Sequence, residues 1–92
     1  MKDEILRKIK EKGIELRFSH DFKKHLKKDN NTKTRLFKQI LKIINDPGIG
    51  KYMRYSRKGE QEVYLDSFRV YYKHYPDEKI IRFIEFSHKD EQ

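Results

Sequence analysis

The spacing of apolar residues changes from a helical to a strand period at residues 46–48, and this change constrains the fold of the 92-residue chain most strongly. Upstream, residues 33–45 have apolar side chains at helical spacing. These side chains are Leu36, Phe37, Ile40, Leu41, Ile43 and Ile44. Asp46-Pro47-Gly48 ends this helix, because proline cannot continue a helix and glycine accepts turn geometry. Downstream, apolar residues alternate with polar ones, which predicts strands.

Before that helix, the chain predicts two shorter helices and one strand. Residues 2–12 have a narrow apolar stripe among charges, and Gly13 suits the end of a short helix. Residues 14–18 alternate between apolar and charged side chains, which predicts a half-buried strand. Ser19 is a good N-cap for a second helix, since its hydroxyl can accept a backbone hydrogen bond.

The second half of the chain predicts four strands. They span residues 51–57, 62–65, 68–75 and 80–86. The last is apolar on both faces apart from Arg82 and Glu85, so we expect it to be central. The order predicts an α+β domain in which a two-helix hairpin packs on a twisted, mostly antiparallel sheet of four to five strands. The N-terminal helix is an addition to this plan.

Charge is unevenly distributed along the chain. Residues 1–58 contain 18 basic and 7 acidic side chains, whereas residues 59–92 contain 5 basic and 8 acidic ones. The basic first part favours a polyanion or an acidic protein as partner, through long-range attraction and counterion release. A solvated lysine-rich surface gives the same composition.

Several classes of site are excluded or disfavoured. The absence of cysteine excludes disulfides and cysteine-based zinc sites. The histidines are scattered without an acidic cluster, so we expect no metal site. No apolar run approaches the roughly 18 residues of a membrane span. The charged N-terminus lacks the apolar block of a signal peptide. We therefore expect a cytoplasmic protein with no metal and no membrane partner.

Four motifs occur in order along the chain. They are FSHDFKKHLKK (18–28), NDPGIGKYMRY (45–55), RKGEQEVYLDSFRVYYKH (57–74) and FIEFSHKDEQ (83–92). Together they resemble the RelE/ParE superfamily of small toxins from type II toxin–antitoxin pairs, and most nearly the RelE-type mRNA interferases. The resemblance covers residues 14–92 and implies a RelE-like toxin domain there. Residues 1–13 look like an N-terminal helical extension.

The resemblance also implies an activity. RelE-type toxins cleave mRNA in the ribosomal A site without a metal or another cofactor, and a cognate antitoxin protein inhibits them. The ribose 2′-hydroxyl attacks the adjacent phosphate, so fixed cations are needed to stabilise the negative charge that develops there. Partners implied for this chain are therefore an antitoxin, the ribosome and mRNA.

The resemblance assigns roles to individual residues. Arg69, in SFRVYY, matches the family arginine that holds the scissile phosphate; its alternative role is a strand arginine paired with Glu62 or Glu85. His88 and Lys89 match a basic pair at the end of the family domain. His88 is a candidate acid or base because the reference pKa of histidine lies near neutrality, and its alternative role is that of an ordinary half-buried histidine. A basic set before Gly59 is expected to contact further RNA phosphates; its alternative role is solvated charge on an edge strand, which prevents aggregation between sheet edges. This set comprises Lys51, Arg54, Arg57 and Lys58.

Two departures from the family pattern leave the function open. Glu62 and Tyr64 occupy the places of a basic pair found in many relatives, and no tyrosine follows Tyr75. Glu62 is a candidate general base, and it can equally neutralise Arg69. Because the resemblance extends to the ParE branch, which shares the fold, one alternative function is a ParE-like toxin that binds DNA gyrase. Another is a catalytically degenerate module that binds an antitoxin or RNA.

Overall fold

The computed structural model describes residues 2–27 and 30–88, which form three helices and one five-stranded sheet. The elements are α1 (Lys2–Lys12), β1 (Glu15–Phe18), α2 (His20–Leu26), α3 (Asn30–Asn45), β2 (Lys51–Tyr52), β3 (Gln61–Leu65), β4 (Phe68–Tyr75) and β5 (Ile80–His88). Short 3-10 turns at Pro47–Ile49 and Tyr55–Arg57 lie on either side of β2. The predicted α+β class, with a mostly antiparallel sheet, is confirmed.

The sheet has the strand order β1-β5-β4-β3-β2. β1 pairs with β5 in parallel, and every other neighbouring pair is antiparallel. β5 therefore lies between β1 and β4, as its apolar sequence predicted. A β-bulge in the pairing of β4 with β5 falls between Tyr71 and Tyr72. Such a bulge changes which side chains of β4 lie opposite those of β5.

The hydrophobic core lies between the helices and one face of the sheet. The fully buried helix residues are Phe22, Leu36, Ile40, Ile43 and Ile44, and the sheet adds Val70, Tyr72, Ile81, Phe83 and Phe86. Most of the apolar stripe of α3 is thus buried as its spacing predicted. α1 packs mainly on α3, and its Ile5 is also buried in this core.

Local signals explain where the helices begin and end. The Ser19 hydroxyl accepts a hydrogen bond from the Phe22 backbone N–H at 3.1 Å, so the predicted N-cap is confirmed. Gly13 follows α1 with a φ of 63°, a conformation that glycine adopts without strain. α3 begins at Asn30, earlier than the apolar period indicated. Its first turn is polar, and the Thr34 hydroxyl donates to the Asn30 carbonyl at 2.9 Å.

The prediction of a strand over residues 51–57 was wrong beyond Tyr52. Only Lys51 and Tyr52 pair with β3, and the chain then enters the 3-10 turn at Tyr55–Arg57. Tyr55 has a φ of 59°, which a continuous strand does not allow. The turn brings Arg57 back towards Glu60, with which it forms an ion pair.

Candidate active site on the sheet face opposite the helices

The face of the sheet that is turned away from the helices holds three of the residues that the sequence singled out, Arg69, Glu62 and Lys51. Strand register aligns Tyr64 of β3 with Arg69 of β4. In the next row, Lys51 of β2, Glu62 of β3 and Tyr71 of β4 are aligned. Since side chains alternate along a strand, these residues share the face opposite the core residues Val63 and Val70. We call this the outer face.

Arg69 and Glu62 form an ion pair on the outer face. A guanidinium nitrogen of Arg69 lies 3.5 Å from a carboxylate oxygen of Glu62. The Glu62 side chain is 3% exposed, whereas that of Arg69 is 30% exposed. A partner molecule can therefore reach Arg69 far more easily than Glu62. The sequence left open whether Arg69 pairs with Glu62 or Glu85, and in the structure it pairs with Glu62.

Arg69 remains positively charged, and an aromatic ring lies beside it. A hydrogen bond with the Tyr71 side chain raises the pKa of Arg69, and the negative charge of Glu62 raises it further, which outweighs the opposing effect of burial. The guanidinium carbon lies 5.5 Å from the centre of the Tyr64 ring. Tyr64 is 53% exposed. A fixed cation and an accessible ring next to each other suit a phosphate and a base of RNA.

Arg57 fastens the 3-10 turn to the outer face. Its guanidinium donates to Glu60 at 2.8 Å and to Glu85 at 2.7 Å, and it stacks 3.8 Å from the centre of the Tyr71 ring. Partial burial lowers the pKa of Arg57, but its hydrogen bonds to Glu85 and Glu60 outweigh that effect and raise it. These contacts make Arg57 a clamp between the turn and the sheet. Glu85 thus pairs with Arg57.

Lys51, Arg54 and Lys58 are exposed around this clamp. Lys51 lies on β2 opposite Glu62, while Arg54 and Lys58 are the residues on either side of the 3-10 turn. The structure thus separates the predicted RNA-binding set. Three of its members are accessible cations, and the fourth, Arg57, is occupied by two carboxylates.

A buried polar network supports the start of this segment. The Tyr72 hydroxyl donates to the Pro47 carbonyl at 2.7 Å and accepts from the Gly50 N–H at 3.0 Å. The Gln61 amide donates to the same Pro47 carbonyl at 2.8 Å. These bonds fix the chain where it enters β2, and therefore fix the position of Lys51.

The last predicted site residues lie at the end of the described chain. His88 is the final residue of β5, where its backbone pairs with Phe68. The side chain of His88 and all of Lys89 lie outside the described residues.

The comparisons with known proteins identify the fold. The crystal structure of the intact E. coli RelBE toxin–antitoxin complex is similar with a TM-score of 0.66 and 17% identity, and the match covers 79% of this chain and 93% of that one. The RelBE2 complex of Mycobacterium tuberculosis matches with a TM-score of 0.63 and 16% identity over 82% and 96% of the two chains. An E. coli RelE mutant in the free state matches with a TM-score of 0.66 and 18% identity, and the match covers 84% of each chain.

This chain has the RelE toxin fold. The RelE-type resemblance of its motifs and the similarity of its architecture agree, at low sequence identity. No protein-family model and no curated protein sequence matches the chain.

On this RelE fold, sequence reasoning missed the second ion pair of the outer face. Arg57 and Glu85 are 28 positions apart, and neither lies in a local motif that indicates pairing. The stacking of Arg57 on Tyr71 also went unpredicted. The one available signal was the placement of Arg69, Tyr71 and Lys73 on the same side of β4, which marks the outer face as polar and aromatic.

Within residues 2–27 and 30–88 of this RelE fold, no cluster of three or more His, Asp or Glu side chains is placed to hold a metal ion. In the same residues, no helix has the length and apolar character needed to cross a bilayer.

Proposed function

We propose that this chain is the toxin of a type II toxin–antitoxin system and that it cleaves mRNA on the ribosome without a metal ion. The observation that carries the proposal is the position of Arg69 on the outer face of a RelE fold, near the start of β4, which is the middle strand of the sheet. Its side chain is 30% exposed, permanently charged and flanked by an accessible tyrosine ring. An arginine in this setting can bind two phosphate oxygens with its planar fork.

The proposed reaction is an intramolecular transfer of the phosphoryl group. The ribose 2′-oxygen bonds to phosphorus, the bond from phosphorus to the 5′-oxygen breaks, and a 2′,3′-cyclic phosphate forms. The 2′ proton passes to a base, and an acid supplies a proton to the 5′-oxygen. Arg69 stabilises the charge that accumulates on the non-bridging oxygens. We propose His88 as the acid or the base of this step, and Lys89 as an additional cation.

Glu62 has a different role in this proposal. Because its side chain is only 3% exposed, a ribose hydroxyl cannot readily approach it. Its ion pair with Arg69 supports a role in orienting the guanidinium. An incoming phosphate then competes with Glu62 for Arg69.

The accessible cations around the turn complete the proposed RNA surface. Lys51, Arg54 and Lys58 are exposed and supply charge for the phosphates on either side of the scissile bond. Arg57 contributes indirectly, because it holds the turn against Glu85 and Tyr71.

The proposed partners are a cognate antitoxin, the ribosome and mRNA, in the cytoplasm. Two of the similar structures are complexes of a RelE toxin with its antitoxin, which supports an antitoxin partner for this chain. The +8 net charge of the protein favours an acidic partner and ribosomal RNA alike.

A second candidate function is a non-catalytic binding module. The neutralisation of Arg69 by Glu62 favours it, as does the presence of Tyr64 where many relatives have a basic residue. Such a module binds an antitoxin or RNA with normal affinity and does not cut.

Cleavage by purified protein on programmed ribosomes tests the proposal. The Arg69→Ala variant is expected to lose about 100-fold or more in cleavage rate, as when other transition-state donors are removed. Arg69→Lys is expected to recover part of the rate, because it restores charge without the fork. Arg35→Ala, which removes an exposed arginine from α3, is the matched control and should cleave normally.

This assay, together with measurements of DNA breaks and of binding, separates the alternatives. Uncut mRNA with the unsubstituted protein would contradict the proposed cleavage. Gyrase-dependent DNA breaks would then indicate a ParE-like toxin, whereas tight RNA or antitoxin binding without DNA breaks would indicate the binding module.

A further inference from the structure

Two accessible tyrosines lie outside the outer face, on the segment that contains β2. Tyr52 is 68% exposed and Tyr55 is 90% exposed. Together with Lys51, Met53 and Arg54 they line a surface depression of about 480 Å³. We call this the 51–55 surface. Its volume falls within the range of about 300–1,000 Å³ typical of small-ligand sites.

The backbone of Tyr55 is unfavourable for its residue type. Its φ of 59° lies in the left-handed region, which costs free energy for any residue with a Cβ and which glycine adopts freely. Hydrogen bonds from Arg57 N–H to the Arg54 carbonyl and from Lys58 N–H to the Tyr55 carbonyl hold the turn. None of these bonds involves the ring. The fold therefore has no structural need for a tyrosine here, and unfavourable backbone of this kind is common at functional positions.

The charge of the segment indicates what the rings bind. Residues 51–58 include four basic residues and no acidic one. Arg57 is occupied by Glu60 and Glu85, but Lys51 and Arg54 are exposed beside the rings. Protein-binding aromatic residues typically lie in a desolvated apolar centre with few charges. Rings interleaved with cations are typical of surfaces that bind single-stranded nucleic acid.

We propose that the 51–55 surface binds single-stranded RNA by stacking a nucleobase on Tyr55. Tyr52 provides a second stacking surface, and Lys51 and Arg54 contact the flanking phosphates. The identity of the RNA as mRNA rests on the proposed function. The stacking itself does not, because it requires neither Arg69 nor cleavage.

A pair of substitutions at Tyr55 tests the stacking. Tyr55→Gly removes the ring and suits the observed φ, so the variant should fold with a melting temperature at least equal to that of the unsubstituted protein. Tyr55→Phe keeps the ring and removes the hydroxyl. The probe is a labelled 2′-O-methyl RNA of about ten nucleotides, which lacks the nucleophile of the proposed cleavage. Fluorescence anisotropy gives the dissociation constants.

We expect Tyr55→Gly to weaken binding about tenfold, and Tyr55→Phe to leave it within about twofold. In NMR spectra of the unsubstituted protein, the Tyr55 ring protons should shift upfield when the RNA binds, which a purely structural role would not produce. Unchanged affinity in Tyr55→Gly would overturn the proposal. So would an equal loss in Tyr55→Phe, or an unsubstituted protein that does not bind the RNA.

The outcomes also separate this inference from the proposed function. Tyr55-dependent binding by a protein that never cleaves mRNA would uphold the stacking and contradict the endonuclease. If the protein cleaved mRNA but bound RNA equally well without the Tyr55 ring, the endonuclease would be upheld and the stacking contradicted. If Tyr55→Gly weakened antitoxin binding but not RNA binding, the surface would be a protein interface and the inference would be wrong.

Discussion

At the scale of single residues, the outer face contains two arginines in different situations. Arg57 contacts two carboxylates at 2.7 and 2.8 Å and stacks on an aromatic ring, whereas the contact of Arg69 with Glu62 is 3.5 Å long. The two side chains are almost equally exposed, at 29% and 30%. Bonds to two carboxylates and stacking on a ring make Arg57 difficult to recruit to a ligand. We therefore propose Arg69, whose ion-pair contact is the longer one, as the arginine that binds a phosphate.

The Glu62→Gln variant tests this competition. The amide keeps the shape of the side chain but removes the charge that opposes a phosphate at Arg69. We expect RNA affinity to rise several-fold at low salt, with the mRNA cleavage rate retained. Titration of the 2′-O-methyl RNA and the ribosome assay measure the two effects. A cleavage rate that fell about 100-fold would instead make Glu62 the general base.

At the scale of elements, the network around Tyr72 decides where β2 begins. A Cβ added at Gly50 would lie 2.6 Å from the Tyr72 hydroxyl oxygen and 2.9 Å from the Gln61 Cβ. Both neighbours are buried, so neither can move aside easily. Gly50 is thus needed for close packing and not for a special backbone angle.

We expect Gly50→Ala to lower the free energy of unfolding by about 1–3 kcal/mol through overpacking. Gly48→Ala is the matched control, because its Cβ would meet only the Asp46 carboxylate oxygen at 3.4 Å. Its effect should stay within about 0.5 kcal/mol. Urea denaturation measures both, and equal stability of the two variants would contradict the network's role.

Because of the same network, we expect the stability of the protein to decrease at high pH. Burial raises the pKa of Tyr72 above its ordinary value of 10.0, and the hydrogen bond from Gly50 only partly offsets this. The unfolded chain therefore loses the Tyr72 proton at a lower pH than the folded protein does. The contribution of the Tyr72 hydroxyl to the free energy of unfolding is fully present below pH 10, and it is lost as the pH rises through the folded-state pKa of Tyr72. Melting temperatures should fall less steeply above pH 10 in Tyr72→Phe than in the unsubstituted protein.

α1 provides a second prediction at the scale of elements. Ile5 is 7% exposed in the core, whereas the adjacent Leu6 is 54% exposed. We expect Ile5→Ala to cost about 2–4 kcal/mol of unfolding free energy, and Leu6→Ala about 0.5 kcal/mol or less. Chemical denaturation compares the two. A negligible effect at Ile5 would mean that residues 1–13 are a dispensable extension.

At the scale of the whole molecule, periodicity was enough to predict the architecture. The apolar stripe of α3, the alternation in β4 and the two-sided apolar character of β5 each appear in the structure as expected. Residues 51–57 did not follow, because Arg57 reaches Glu85 across 28 positions and Tyr55 adopts a left-handed φ. Periodicity contains no information about such long-range ion pairs.

The candidate site was predictable to a similar extent. The resemblance singled out Arg69, and hairpin pairing brought Glu62 beside it as one of the two partners considered. The sequence did not predict that Arg57 would be bound by carboxylates while the other three members of the RNA-binding set are exposed. Whether Arg57 is bound or accessible depends on the turn geometry, which the spacing of charges in the sequence does not reveal.

The most direct test of the central claim is primer extension on abundant mRNAs after induced expression in a bacterium. The unsubstituted protein should arrest growth and produce new 5′ ends at codon-phased positions. Arg69→Ala should produce neither, while Arg35→Ala should behave as the unsubstituted protein does. Growth arrest with intact mRNA, or cleavage that persists in a folded Arg69→Ala variant, would contradict the claim that Arg69 acts on the scissile phosphate.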